Sequence, residues 1–401
     1  MHNLKDLINQ YSTPDILLDS FNSSENKYAI WGFEEIIEIN KNGCFLNEDK
    51  VNGNYFEILQ NTFSKWKKNT PNDAIACVGF LSYEFKKFIY PHIKFSKDFN
   101  SPFPYLWFCK PKSVKSFKDE IIDYGLSKKL NIIDDFMGFD NYNKKINQIK
   151  TYLKNGDVYQ INFTDFKKFK SNFKNPFDLY LALRTYAKPQ EGFFLHTDKF
   201  DILSLSPESL IKVKNKMVYT APIKGTRHRS NIPSVDLELK KELQNSIKDK
   251  AEHLMIVDLL RNDLGKICQI GSIKVNDLYN IKSFETIHHM VTEIEGKLKE
   301  NISETDIIQA LFPGGSITGA PKESAMSIID NLEQSNRKIY TGSAGYIKSN
   351  GDMSFNICIR TLLKINDIYE YGIGGGIVWD SQAKSEWNEA HQKSKILEIL
   401  L

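Results

Sequence analysis

Short runs of aromatic and aliphatic residues punctuate the first third of this 401-residue chain, without regular alternation of strand and helix. Tyr28-Ala29-Ile30-Trp31-Gly32-Phe33, the run from Ala74 to Leu81 and Tyr105-Leu106-Trp107-Phe108 each have the length and composition of a strand. Helical spacing appears separately. Tyr55, Leu59, Phe63 and Trp66 recur every three or four positions, as do Tyr142, Ile146, Ile149 and Leu153 ahead of Gly156. Parallel sheets need a crossover, usually a helix, between successive strands. Strands mixed with helices but not alternating with them predict an α+β fold with antiparallel sheets. A charged, poorly patterned segment from Lys112 to about Asp135 predicts the connection between a strand-rich N-terminal part, residues 1–135, and a core over residues 136–401.

Composition narrows the function classes. The 53 basic and 50 acidic residues leave a formal net charge of only +3, and no basic block carries interleaved aromatics, so nucleic-acid binding has no support. Cys44, Cys77, Cys109, Cys268 and Cys358 are odd in number and form no Cys-x-x-Cys, which indicates neither a disulfide framework nor a zinc cluster. The start of the chain is charged by Lys5 and Asp6, and no apolar run approaches the roughly 20 residues that span a bilayer. A cytoplasmic protein with no membrane contact is expected.

The residue types that carry chemistry begin with Lys224, in Ala221-Pro222-Ile223-Lys224-Gly225-Thr226-Arg227, sixteen residues after Ser206-Pro207-Glu208. Pro222 restricts the backbone on one side and Gly225 frees it on the other. A lysine and a glutamate brought together on adjacent strands supply a nucleophile or base and a proton donor; an ordinary ion pair is the plainer alternative. Two predicted helices bear further acids. One runs from about Ser246 to Leu264 with Asp249 and Glu252 on a polar edge, and the other from about Gln382 to Leu400, capped by Ser381, with Glu386 and Glu389 on one face. Three glutamates, Glu252, Glu386 and Glu389, suit Mg²⁺, which takes oxygen ligands; two solvated helix faces are the alternative. Phe312 to Lys322 fails as a Walker A loop because Ala320 and Pro321 separate Gly319 from Lys322. Gly374, Gly375 and Gly376 follow a predicted hairpin and form either a backbone nest for a carboxylate or a tight bend.

Several segments, in order, resemble the chorismate-utilising enzymes: Gly156-Asp157-Val158-Tyr159-Gln160-Ile161-Asn162, Ser206-Pro207-Glu208, Pro222 to Arg227, Ala251 to Leu264, Pro313 to Lys322, Ile359-Arg360-Thr361, Gly374 to Val378, and Glu386-x-x-Glu389-x-x-x-Lys393. Gly79 to Glu84 extends the resemblance weakly toward the N-terminus. It implies a four-layer sandwich of the anthranilate synthase component I type, two large antiparallel β-sheets flanked by helices. Anthranilate-forming members usually have alanine at the position of Lys224. Lysine there resembles the branch that aminates chorismate at ring carbon 4 to 4-amino-4-deoxychorismate, the precursor of 4-aminobenzoate and folate.

The resemblance assigns roles residue by residue. Glu208 protonates the departing hydroxyl, and Lys224 acts as nucleophile or base. Glu252, Glu386 and Glu389 hold Mg²⁺. Thr226, His289, Ser316, Tyr340, Arg360, Lys393 and the N–H groups of Gly374, Gly375 and Gly376 hold chorismate, whereas His288 reads as structural. Ammonia comes from solution or from a separate glutamine amidotransferase subunit, since the chain shows no cysteine-histidine glutaminase signature. Leu17-Leu18-Asp19-Ser20 resembles a tryptophan pocket, with Leu18, Asp19 and Ser20 as its residues and aspartate in place of the usual glutamate; a plain strand end is the alternative. Anthranilate synthesis with release of pyruvate and a non-catalytic chorismate-binding subunit are the competing functions.

Overall fold

The computed structural model describes residues 2–21, 27–97, 99, 101–118, 130–284, 287–398 and 400. Its frame is a long antiparallel hairpin-like pair, Lys27–Asn40 with Leu106–Lys118. The register slips between Phe33 and Glu35, beside Gly32 at φ 70°. Such a bulge bends and twists a strand pair, and here the two halves acquire different neighbours. Tyr28 to Ile30 pair with Ile16 to Leu18, whereas Leu106 to Cys109 pair with Val78 to Leu81.

Two sheets grow from those halves. One continues through Ile16–Asp19, Glu191–His196, Phe200–Ser206, Thr361–Ile365, Ile368–Ile377, Gln160–Ser171 and Leu130–Asp134. The other continues through Ile75–Leu81, Ser343–Lys348, Met353–Asn356, Ser209–Lys214, Met217–Thr220, Ile287–Lys297 and Lys274–Ser283. All these pairs are antiparallel; the short His2–Asn3 strand runs parallel to its partner. Strands from before residue 135 pair directly with strands after it in both sheets, as Ile16 with Leu195 and Leu81 with Ser343 show.

The alternation of side chains along a strand separates the layers. Ile16, Leu18, Phe193, Leu195 and Ile202 join one core with Phe80, Trp107 and Phe355 of the opposite sheet. Their neighbours Leu17, Phe194 and Leu203 join another with Tyr142, Phe177 and Leu183 of the helices. Phe80 meets Phe200 edge-on across the sheets at 5.6 Å between ring centroids. Helices Phe139–Asn155, Pro176–Ala187 and Lys322–Leu332 cover the first sheet, and Tyr55–Lys68, Ile247–Ile267 and Glu304–Leu311 pack with the second. The result is an α+β sandwich of four layers. Strand Ile75–Leu81 is buried along its whole length, as a strand covered on both faces must be.

Local chemistry explains the helix ends. Asn54 caps Tyr55–Lys68 by accepting from the Phe56 and Glu57 N–H groups, and Leu59, Phe63 and Trp66 are buried on one side. Each such side chain stabilises the fold by about 1.5–3 kcal/mol when fully buried. Gly156, at φ 79°, ends Phe139–Asn155. Ser246 caps Ile247–Ile267 by accepting from the Asp249 N–H. Ser381 does not cap the last long helix; Gln382 stands at that position, and the Ser381 hydroxyl accepts from the Val378 N–H instead.

The expected connection from Lys112 to Asp135 is largely strand where described, with Asn131 to Asp134 exposed throughout; residues 119–129 lie outside the described residues. Among the described residues, no helix is long and apolar enough to cross a membrane.

Candidate active site

Lys224 owes its placement to a bulge. Strand Ile223–His228 pairs with Ile287–Lys297 so that Lys224 faces Met290 and Thr226 faces His289, leaving Gly225 as the extra residue at φ 70°. The dihedral favours glycine, and a Cβ there would come within 2.8 Å of Leu243 Cδ1 and force that side chain to shift. The bulge directs the Lys224 ammonium toward the Ser316 carbonyl, 3.4 Å away. Burial drives its pKa below the ordinary lysine value, against the opposing pull of Glu252 and Glu208.

Glu208 sits in the turn between Phe200–Ser206 and Ser209–Lys214, and is itself buried. Its N–H donates to the Ser206 hydroxyl at 3.1 Å, and that hydroxyl donates to the Ile357 carbonyl at 2.6 Å, which fixes the turn. Burial pushes the carboxyl pKa up to about 7, while Lys224 and a hydrogen bond from the Ser316 hydroxyl at 2.9 Å hold it lower than burial alone would. A carboxylic acid still able to donate a proton near neutrality therefore stands beside an amine that loses its proton more readily than usual.

His289 and Thr226 are joined, Nδ1 to Oγ1 at 2.9 Å. Burial pushes the His289 pKa down to about 4, so the ring is neutral, and its Nε2 is buried without a partner among the described residues. Arg360 holds φ 51°, a left-handed value uncommon outside glycine, and its charge reaches His289 and Tyr371. Tyr340 is buried against Phe166 and the bare backbone of Gly372.

Gly374, Gly375 and Gly376 form neither a nest nor a bend. They lie in strand Ile368–Ile377 and pair with Thr164, Phe163 and Asn162. Their lack of side chains serves close approach: a Cβ on Gly376 would stand 2.7 Å from Gln160 Nε2 and 3.5 Å from Lys224 Nζ. Gln160 itself was not singled out by spacing. Both polar atoms of its buried amide are unpartnered among the described residues, which marks it as a group facing the site. Its strand carries other polar residues, Asn162, Thr164 and Asp165 among them, so its residue type gave no local signal.

The acids come from two helices. Glu386 is buried and Glu252 half-buried, and Lys248 stands 3.6 Å from the first and 3.8 Å from the second. Glu389 pairs with Lys393 at 2.9 Å, which holds its pKa below the ordinary range, and Lys393 also donates to the Gly374 carbonyl at 2.9 Å. Among the described residues, no three His, Cys, Asp or Glu side chains form a ready-made metal cage. Yet Glu252 and Glu386 converge on one cation, and an all-oxygen donor set with a third carboxylate one helical turn away fits a hard divalent ion in chemistry.

The remaining candidates are structural or set apart. His288 and His289 are both buried; His288 bonds to Ser283 at 2.8 Å and Asp236 at 3.1 Å. Lys322 pairs with buried Asp263 at 2.5 Å. Leu18, Asp19 and Ser20 line a cavity of about 40 Å³, more than the roughly 10–15 Å³ that a single water requires. The Asp19 carboxylate is already held by Arg184 at 2.5 and 3.0 Å and by the Tyr180 hydroxyl at 3.2 Å.

Comparisons with known proteins identify the family. A family model described as chorismate binding enzyme matches residues 13–398. Aminodeoxychorismate synthase component 1 of Escherichia coli is 42% identical over 263 residues, 65% of this chain and 58% of that protein. Anthranilate synthase component 1 of Saccharolobus solfataricus is 33% identical over 338 residues, 81% of this chain and 80% of that protein. The match to the E. coli protein thus spans less than two thirds of its length. In structure, anthranilate synthase component I from Streptococcus pneumoniae TIGR4 superposes with a TM-score of 0.80 at 24% identity, covering 93% of this chain and 92% of that one; the likeness concerns the fold.

Proposed function

The chain belongs to the chorismate binding enzymes, and we propose that within that family it aminates chorismate at ring carbon 4, giving 4-amino-4-deoxychorismate and water. The observation that carries this reading is the Lys224–Glu208 arrangement around Ser316. Glu208, with its raised pKa, gives a proton to the 4-hydroxyl, turning a poor leaving group into water. Lys224, with its lowered pKa, adds to the ring as the neutral amine while that bond breaks. Ammonia then enters at carbon 4 and the bond to Lys224 breaks, returning the lysine. The enolpyruvyl group stays on the product.

Arg360, Tyr340 and the glycine strand Gly374 to Gly376 hold the side-chain carboxylate, while the neutral His289 borders the ring and Lys393 its carboxylate. Mg²⁺ held by Glu252, Glu386 and Glu389 would supply positive charge to the ring carboxylate. The ammonia comes from solution or from a glutamine amidotransferase subunit.

A second reading, anthranilate synthesis, is favoured by the relative from S. solfataricus, which matches over most of its length. Product analysis separates the two. The purified chain with chorismate, Mg²⁺ and excess ammonium salt at mildly alkaline pH yields a product that an added lyase converts to 4-aminobenzoate. Anthranilate and pyruvate in its place would overturn the amination reading.

A further inference from the structure

Lys248 is the second residue of helix Ile247–Ile267. A cation there meets the positive end of the helix dipole, so helix stability does not account for it. Its Nζ is shared between Glu386 and Glu252, at 3.6 and 3.8 Å, and its charge also acts on Glu389. Those distances exceed a good hydrogen bond. Burial pushes the Glu252 pKa up, Lys224 and Lys248 pull it down, and the like charge of Glu386 adds to the rise. The other nearby ammonium groups are committed, Lys224 to the Ser316 carbonyl and Lys393 to Glu389 and the Gly374 carbonyl.

We propose that Lys248 is a tethered counter-cation, which neutralises Glu252 and Glu386 while no divalent cation is bound and withdraws into solvent when one binds. The inference rests on the Mg²⁺ reading above and adds a residue that sets the metal affinity. Three features suit Lys248 to this. Its side chain is 49% exposed, so withdrawal restores hydration at little desolvation cost. Its charge is a compact point on a flexible stem, without the fixed fork that would lock an arginine to one carboxylate. And it is held by distance-weakened contacts to two acids rather than by one tight pair. In the empty site it limits the repulsion between Glu252 and Glu386. In the loaded site it would be a like charge beside the metal, and its departure subtracts from the binding free energy.

The test is titration of the free protein with Mn²⁺ in the absence of chorismate, unbound ion being read by its paramagnetic resonance. Lys248→Met is expected to bind Mn²⁺ about tenfold more tightly than the unaltered chain, a difference of about 1.4 kcal/mol, and Lys248→Arg to bind more weakly than the unaltered chain, because a guanidinium forked onto one carboxylate withdraws less readily. Equal or weaker binding by Lys248→Met overturns the counter-cation role. The double variant Glu252→Gln/Glu386→Gln separates this failure from failure of the metal reading. If it loses Mn²⁺ while Lys248→Met is unchanged, the metal site stands and the role of Lys248 alone is wrong. If it keeps Mn²⁺, or no form binds any, the metal reading falls and the inference with it. A melting curve for each variant checks folding, which a half-exposed side chain should not disturb.

Discussion

Glu208 and Lys224 are coupled through one residue, Ser316, whose hydroxyl donates to the carboxylate at 2.9 Å and whose carbonyl accepts from the ammonium at 3.4 Å. Burial acts on the two groups in opposite directions, raising the acid and lowering the base. Both shifts favour the neutral pair, a protonated acid beside a free amine.

Replacing the lysine tests that pair. Lys224→Ala should lower turnover of chorismate with ammonia by about a hundredfold to ten-thousandfold, the usual range for a lost acid–base or nucleophilic group. Lys224→Arg should not restore it, because a guanidinium remains charged. Chromatographic assay of product at saturating ammonium measures both, and a Lys224→Arg enzyme with normal turnover would remove the lysine from the chemistry.

Glu208 makes a prediction about stability as well as rate. Its folded pKa of about 7 lies above the ordinary 4.5, so the folded chain holds a proton that the unfolded chain releases between those values. Its contribution to stability is present below about 4.5 and is lost as pH rises through about 7. Glu208→Gln does not titrate, and should be more stable than the unaltered chain at pH near 8, the difference narrowing toward pH near 5. Its turnover should fall about a hundredfold or more. Denaturant titrations at the two pH values give the sign; an unchanged difference would mean that the carboxyl is not buried as described.

How much of this was legible in sequence depends on the range of the interaction. The strand runs, the helix bearing Glu252 and the Gly156 stop follow from local spacing, and the structure has them, while the helix bearing Glu386 ends at Lys393, short of the expected Leu400. The bulge at Gly225 and the slip at Phe33 depend on a partner strand far along the chain, which local pattern does not carry. Gln160 and Lys248 were missed for a similar reason: each is ordinary on its own element and gains meaning only from what another element brings beside it. The glycine run misled because glycine suggests a loop, whereas here three glycines thin a strand beneath the site.

Arg337 shows what holds that site in place. It is buried, with Nη1 donating to the Ile317 carbonyl at 2.9 Å and Nη2 to the Asn162 carbonyl at 2.6 Å, while Glu333 balances its charge at 2.6 Å. The turn carrying Ser316 and the strand carrying Gln160 are thereby tied together. Arg337→Met should cost about 3–5 kcal/mol, because Glu333 is left as an unpaired buried charge. Urea unfolding would measure it, and a loss under about 1 kcal/mol, typical of an exposed pair, would show the network to be solvated.

Three consecutive glycines should respond differently to alanine, and the pattern separates fold from function. At Gly374 a Cβ would lie 2.6 Å from the Phe163 carbonyl, part of the paired backbone, so Gly374→Ala should destabilise the sheet. At Gly376 the nearest obstacle is Gln160 Nε2 at 2.7 Å, the far end of a side chain, with Lys224 Nζ at 3.5 Å. Gly376→Ala should therefore fold and lose turnover by displacing Gln160 and crowding the lysine. At Gly375 nothing comes closer than Lys393 Nζ at 3.5 Å and Glu386 Oε2 at 3.9 Å, so alanine meets no clash in the unliganded chain. Gly375→Ala should melt as the unaltered chain does, and should raise KM for chorismate more than it lowers kcat if that space receives the substrate carboxylate. Normal KM and normal melting together would place chorismate elsewhere, because a methyl group in the space it is proposed to fill cannot be neutral to its binding.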